Sequence, residues 1–597
     1  MLHSLPVWLR PVDAAIVVML APLAAALLIS GLDDLVIDAA WAISWLGEKL
    51  RPAAKLWPPG PRQLDSAPRL SIAIIVPLWD EHEVIARMLE HNLASIRYTE
   101  YHIFAGAYPN DDRTQEAVRD VSDRFPNVHL ALVPHDGPTS KADCLNWIFQ
   151  HIGLFEEQTG QTFDVVLVHD AEDLIHPDEL RWINYYAGRY DFIQTPVLAL
   201  PTPLSQMTHG LYCDEFAEYH LRDMPVRPML GGFVPSAGVG TAYRRAALEK
   251  LAAARSNRVF EPEALTEDYE NGFELFRLGC SQAFIPAMRA HGPGFMATRE
   301  YFPQNWTAAL RQRTRWVMGI ALQGWERFGW GRNPAEAYWL WRDRKGLIAS
   351  PLGLAANLLF VYGAATRIWT RTTPLAAHIV ITTAAIAMIR LAVRMGCTAR
   401  VYGCAFALAA PIRAIYGNVL NASATVRAVY RYTLSRARGR PLVWLKTDHA
   451  FPSRAALLEH KRTLEEILVG SGSISEAALA AATATQPAQM PIGEHLLNLR
   501  LIDEDSLYQA LGMQQGLPLG DPDPCEVPPA IARAIPEHAV RQWRVLPFRV
   551  AEGNLLLATP QLPSDEMNAA LRQFTALEMR FHLVTPRKFE SLRNALL

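Results

Sequence analysis

Cysteine is scarce: six residues in 597, Cys144, Cys213, Cys280, Cys397, Cys404 and Cys525, with no C-x-x-C pair among them. That spacing argues against a zinc site and a disulfide framework, and points to a reducing compartment for most of the chain. Charge of one sign is missing too. The net charge is -3 and the isoelectric point is near 6.7, with no long basic block and no basic groove interleaved with aromatics. Nucleic acid is therefore set aside as a partner. What remains is length enough for about two to four structural units and an unusual hydropathy. The mean hydropathy is +0.03 although 20% of residues are charged, so apolar residues must be concentrated in runs.

The first run is "AAIVVMLAPLAAALLISGL" between Asp13 and Asp33, 19 uncharged residues. At a rise of about 1.5 Å per residue it crosses a hydrocarbon core of roughly 30 Å. A signal peptide is the rival reading; the run is long for one, and Lys49, Arg51, Lys55 and Arg62 follow it. Gly346 to Thr366 and Thr372 to Ile389 also reach spanning length, the alternative being buried helices of a large core. "VYGCAFALAAPI", from Val401, is short for a span and suits an interfacial segment before Arg413. Arg427, Arg431, Arg436, Arg438, Arg440 and Lys446 follow, which predicts a cytoplasmic tail on the same side as the region after the first span. The expected organisation is an anchor over 1–64, a polar domain over 65–345, a membrane block over 346–454 and a C-terminal domain over 455–597.

Within the polar domain "LSIAIIVPL", "YHIFAGA", "VHLALV" and "FDVVLVHD" alternate with helical patterns beginning near Glu83, Thr114 and Lys141. This rhythm predicts an α/β domain with a mostly parallel sheet, whose ligands bind at the carboxyl ends of the strands. At one such end stands "VVLVHDAEDLIHP", with three acids in four residues, Asp170, Glu172 and Asp173. A divalent cation would relieve their repulsion, since Mg²⁺ and Mn²⁺ take one or two carboxylates plus phosphate oxygens. An extended backbone would point Asp170 and Glu172 to one face and Asp173 to the other. A solvated acidic turn with Asp173 as a helix cap is the other reading.

The stretches "IIVPLWDEHEVI", "SKADCLNW", "VHDAED", "LTEDYENGFEL" and "QRTRW" stand in the order and rough spacing of the membrane-bound family 2 glycosyltransferases, the group of cellulose and hyaluronan synthases, and the chain resembles them. "HDAED", "TREYFP" and "WLKTDHAFP" narrow the resemblance to a bacterial inner-membrane member. It implies a GT-A-type nucleotide-sugar-binding domain inserted between transmembrane helices, and an inverting hexosyltransferase. The donor would be a nucleotide-diphosphate sugar, with Mg²⁺ or Mn²⁺ on Asp170 and Glu172, and the product a secreted, β-linked polysaccharide. Glu81, Asp112, Lys141, Asp143 and Asp170 match donor-contacting positions, and Glu267 and Asp268 match the catalytic motif, with Asp268 as base. Gln312, Arg313, Arg315 and Trp316 match the acceptor and diphosphate motif. Each is also readable as a surface charge or as part of an amphipathic helix, and "TEDYENGFELFRLG" alone reads as a capped helix ended by Gly279. One departure is "YPNDDRT", where Pro109 and Asn110 precede Asp111 and Asp112 in place of an Asp-Asp-Gly-Ser type turn.

Residues 463–486 and 491–514 align as a weak repeat through Leu464/Ile492, Leu468/Leu496, Val469/Leu497, Ile474/Ile502, Leu479/Leu507 and Gln486/Gln514. The repeat is similar to the tandem motif at the N-terminus of type II secretion and pilus-assembly ATPases, which binds cyclic di-GMP. That implies a small α+β domain with cyclic di-GMP as an effector. Thr463 and Pro491 replace the motif's opening arginine, its early glycine survives only as Gly493 and its later one only as Gly472. Two helical hairpins packing apolar faces account for the same pattern.

The expected function is a multi-pass inner-membrane transferase with cytoplasmic catalytic and C-terminal domains, a polysaccharide or lipid-linked acceptor, contact with the bilayer and an outer-membrane export partner. The alternatives are a catalytically silent membrane receptor or scaffold, and non-processive transfer to a lipid-phosphate acceptor.

Overall fold

The computed structural model describes residues 10–50, 61–255, 257–286, 295–366, 373–439, 463–470, 473–487, 490–515, 517–520, 522–551 and 554–596. Arg51, Lys55, Arg440, Lys446, Gly472 and the "WLKTDHAFP" stretch lie outside them. The chain forms two compact units, 1–86 with 100–452, and 87–99 with 453–597.

In the first unit a seven-stranded sheet has the order β3-β2-β1-β4-β7-β5-β8. Its strands are β1 (Ile72–Pro77), β2 (Tyr101–Ala107), β3 (Val128–Leu132), β4 (Val165–Val168), β5 (Phe192–Gln194), β7 (Thr241–Arg244) and β8 (Gln282–Phe284); β6 (Val197–Ala199) and β9 (Thr298–Glu300) pair separately. The neighbouring strands β3, β2, β1 and β4 are mutually parallel, so their carboxyl ends share one edge. Strand β7 runs antiparallel to both β4 and β5. All four β4 residues are buried, as the unbroken valine and leucine run requires of a strand covered on both faces.

Three helices among the described residues are long and apolar enough to cross a membrane: Asp13–Gly47, Gly346–Gly363 and Pro374–Tyr402. The first belongs to a helix of 41 residues, Arg10–Leu50, about 60 Å long by its rise. That exceeds a hydrocarbon core, and its second half carries Asp33, Asp34 and Asp38 into ion pairs. Lys345 Nζ lies 2.7 Å from Asp33 and 3.0 Å from Asp34, and Arg390 Nη1 lies 2.8 Å from Asp38. The short run from Val401 becomes a four-residue helix, Cys404–Ala407, before a long amphipathic one, Ala410–Arg438. Arg413 interrupts that run because it is wholly buried against Asp214, Nε to Oδ2 at 2.6 Å.

In the second unit the repeat is two helical pairs, Leu464–Gly470 with Glu476–Thr485 and Ile492–Asn498 with Glu504–Gln515. Leu468, Ile474, Leu496, Ile502 and Leu507 meet in one core, so burial accounts for the repeated apolar positions. Thr463 forms a reciprocal cap: its hydroxyl accepts from the Glu466 amide and the Glu466 carboxylate from the Thr463 amide. Gly493 is pressed against Leu507, where a Cβ would come within 2.8 Å. A three-stranded sheet, Leu546–Ala551, Asn554–Thr559 and Glu578–Leu583, follows the helices.

Candidate active site

A cavity opens at the carboxyl edge of the parallel strands. Trp79 and Glu81 come from the end of β1, Tyr108 from β2, Asp170 from β4 and Glu300 from β9. Lys141, Glu267 and Asp268 come from the starts of two helices, Lys141–Thr159 and Glu267–Arg277. Gln312, Arg315 and Trp316 project from the helix Trp306–Trp316.

Lys141 opens its helix although a cation is disfavoured at the positive end of the dipole. Ser140 caps that helix by accepting from the Asp143 amide at 3.2 Å, and Asp143 supplies the acid of the first turn. Lys141 is thereby free to extend into the cavity. Its Nζ lies 2.5 Å from Asp170 Oδ1 and donates to the Gly238 carbonyl at 3.3 Å. Burial opposes its charge, but Asp170, Glu267 and Asp268 outweigh burial and hold its pKa above the ordinary lysine value.

Glu267 is buried and the adjacent Asp268 is half-buried. Burial, then the neighbouring Asp268 charge, pushes Glu267 up to about 7, against the pull of Lys141 and Arg315. Burial also raises Asp268, again opposed by Lys141 and Arg315. Asp268 Oδ1 accepts from the Tyr269 amide at 2.8 Å, and its other oxygen lies against Gly238, which has φ +80°. A Cβ there would meet Asp268 Oδ2 at 2.7 Å, so both the backbone angle and the space require glycine. Gln323 ties this loop to the π-helical turn after Trp316: its amide oxygen accepts from Leu265 N–H and its amide nitrogen donates to Glu263 O.

The acidic turn departs from the extended geometry expected of it. Asp173 N–H donates to Asp170 O at 3.2 Å, closing a turn of whose three acids Asp170 alone lines the cavity. Glu172 is buried and is not part of the cavity wall. Asp173 is wholly buried, accepting from the Asp170 amide and from His169.

Asp143 and Asp112 also stand outside the wall. Asp143 accepts from Thr139 Oγ1 at 2.8 Å, and Thr139 in turn meets the Tyr108 hydroxyl at 2.6 Å, so it braces an aromatic lining residue. Asp112 is exposed on its helix, whereas Asp111 is buried as that helix's cap and accepts from the Asp80 amide at 2.6 Å. Arg313 forms no part of this cavity wall. Its Nη2 is 2.7 Å from Glu215, its Nη1 donates to Asn421 Oδ1 at 2.6 Å, and its guanidinium lies over Tyr212. Positions 312, 315 and 316 are spaced i, i+3, i+4 and share one face, and 313 does not.

Sequence reasoning missed Trp79, Tyr108, Glu300 and Phe302. The first two follow or end parallel strands, a signal the strand assignment already contained. Glu300 ends, and Phe302 follows, a three-residue strand without apolar alternation.

A second cavity shares Phe216, Ala237, Thr266, Asp268 and Trp316 with the first. It runs to Asp34, Arg390 and Arg394 on the apolar helices.

A glycosyltransferase like family 2 model matches residues 68–319, and an MshEN domain model matches 515–597, beginning just after the repeat. Over 590 residues the chain is 33% identical to bacteriophage adsorption protein B of Escherichia coli strain K12, covering 94% of this chain and 79% of that protein. The chain belongs to that family of glycosyltransferases. Among solved structures, the mannosyltransferase PcManGT from Pyrobaculum calidifontis, in complex with GDP-Man and Mn²⁺, is similar over 67% of the chain and 99% of that one, with 18% identity and a TM-score of 0.40. MshE with cdg is similar over 23% of the chain and 100% of that one, with 24% identity and a TM-score of 0.21. The sheet that the family 2 model matches is the GT-A-type core, with apolar helices on either side of it in sequence and a small C-terminal domain bearing strands.

Proposed function

We propose that this glycosyltransferase uses a nucleotide-diphosphate sugar to extend a β-linked polysaccharide at the bacterial inner membrane, with inversion at the anomeric carbon. The observation carrying this reading is the composition of the donor cavity: Glu81, Asp170, Glu267, Asp268 and Glu300 stand against two cations, Lys141 and Arg315. A diphosphate brings further negative charge into that wall, which fits a divalent cation held by Asp170 together with phosphate oxygens. Among the described residues no three His, Cys, Asp or Glu side chains form a ready-made cage. Mg²⁺ or Mn²⁺ so held supplies Lewis-acid stabilisation of the departing diphosphate. Lys141 and Arg315 balance charge on the phosphates, and Asp268 takes the proton from the attacking acceptor hydroxyl. Trp316 gives the acceptor sugar a flat face between the two cavities.

The second cavity favours a neutral glycan over a lipid phosphate. Each of its arginines already meets a carboxylate: Arg222 with Asp38 at 2.5 Å, Arg313 with Glu215 at 2.7 Å, Arg390 with Asp38 at 2.8 Å and Arg394 with Glu218 at 2.6 Å. A phosphate would have to displace those pairs. Cyclic di-GMP binding by the C-terminal domain and regulation of transfer are part of the proposal, supported by the MshEN match and weakened by Thr463 and Pro491 at the arginine positions. An outer-membrane export partner completes it.

The test is to incubate membranes carrying the chain with a panel of UDP- and GDP-sugars and Mg²⁺ or Mn²⁺, measuring nucleoside diphosphate release and product length. Long neutral products are expected, with release rising on addition of cyclic di-GMP. No release from any donor would refute the reading, and a product one sugar longer than its acceptor would replace polymerisation with single transfer.

A further inference from the structure

Below the donor cavity lies a set of buried polar groups that forms no part of its wall. His169 follows β4 directly and is fully buried. Its Nδ1 is 2.8 Å from Asp173 Oδ2 and its Nε2 is 3.1 Å from Glu179 Oε1, with both carboxylates also excluded from solvent. Ionisable groups in a dry interior are costly unless each is paired and hydrogen-bonded, and an apolar trio would fill the same volume without that cost.

The partners of the trio show what it holds. The oxygen that receives His169 Nδ1 also accepts the backbone N–H of Asp170, at 2.9 Å. On the other side Glu179 Oε2 accepts from the Thr298 hydroxyl at 3.0 Å. Thr298 opens β9, whose last residue is Glu300. Backbone bonds between Leu174 and Arg299, at 2.8 and 3.0 Å, pin the same two segments. His169 is thus the joint between the turn that carries Asp170 and the strand that carries Glu300, two segments that each place a carboxylate in the donor cavity.

We infer that His169 is a positioning residue for the donor diphosphate: clamped by Asp173 and Glu179, it holds the Asp170 turn in the register that turns the Asp170 carboxylate into the cavity. The inference rests on the reading of Asp170 as the residue that holds the cation and diphosphate. Partners of this kind, one shell behind a metal ligand, typically change metal affinity or activity about 10- to 100-fold when removed.

The experiment uses the purified full chain and follows Mn²⁺ by electron paramagnetic resonance, alone and with UDP or GDP, beside steady-state kinetics. Asp170→Ala is expected to lose nucleotide-dependent Mn²⁺ binding; if it keeps that binding, the reading of Asp170 fails and the inference with it. With that arm as expected, folded His169→Gln should bind Mn²⁺ about 10- to 100-fold more weakly, with a raised KM for donor. Its kcat should return to within about twofold of wild type at saturating Mn²⁺ and donor, because Asp268 is untouched. Wild-type Mn²⁺ affinity in folded His169→Gln, or a kcat that saturation does not restore, would overturn the inference. Should His169→Gln not fold, Thr298→Val decides, with Thr195→Val as its control: Thr298→Val removes the hydroxyl that donates to Glu179 and also meets Thr195 Oγ1 at 3.3 Å, and a weakening of Mn²⁺ binding of about threefold or more that Thr195→Val does not share supports the inference, whereas unchanged binding, or the same loss in both variants, overturns it.

Discussion

Lys141 Nζ stands 2.5 Å from Asp170 Oδ1, so the first residue of one helix neutralises the carboxylate at the end of a different strand. The same lysine also faces Glu267 and Asp268, which makes it the main opponent of the burial that raises Asp268.

This predicts the pH profile. Burial raises both acids, Glu267 to about 7 and Asp268 above its ordinary value, so the ascending limb of kcat/KM, which follows Asp268, should lie above the ordinary carboxylate range. A nearby cation favours an ionised carboxylate, so Lys141→Gln should raise the pKa of the base and move that limb to higher pH. A pH–rate series on both proteins checks it; a shift to lower pH would contradict the arrangement.

Asp268 should act only while the acceptor oxygen attacks. Asp268→Asn is expected to lower kcat by about 10²- to 10⁴-fold. Donor affinity should change little, as measured by nucleotide binding at equilibrium. Comparable losses in binding and turnover would assign Asp268 to the donor instead.

Gly238 limits where that base can sit. At φ +80°, with a Cβ only 2.7 Å from Asp268 Oδ2, Gly238→Ala must shift the carboxylate or the loop. The backbone penalty alone is about 1–2 kcal/mol. We expect turnover to fall at least about tenfold by transition-state misplacement, with a modest loss in thermal stability. Normal kcat in a folded Gly238→Ala protein would show that the loop yields freely.

Arg313 and Arg315 should separate cleanly. Arg313→Ala breaks the pair with Glu215 and the bond to Asn421, so it should destabilise the protein by about 3 kcal/mol, as for a buried pair losing one partner. Its donor KM should stay within about twofold of wild type, whereas Arg315→Ala should raise KM or lower kcat with little change in stability. Thermal melts and kinetics on the two variants suffice, and a raised donor KM in Arg313→Ala would place that residue at the phosphates after all.

The sequence by itself determined the strand and helix rhythm, because apolar periodicity follows from which faces are buried. It also marked Glu81, Lys141, Asp170, Asp268, Gln312, Arg315 and Trp316, all of which line one cavity. Only the tertiary structure decided between near neighbours. Asp170 enters the cavity and Glu172 does not because a turn, closed by the Asp173 amide, replaces the extended geometry that would have aligned them. Arg313 points away because residues two apart on a helix lie on nearly opposite faces, and Glu215 and Asn421 wait on the far side. Asp111 is buried and Asp112 exposed because one of them caps a helix. His169, assigned no role within the stretch "VHDAED", is joined to Glu179 and, through it, to Thr298, the latter 129 positions along the chain, and no local pattern encodes a contact of that range.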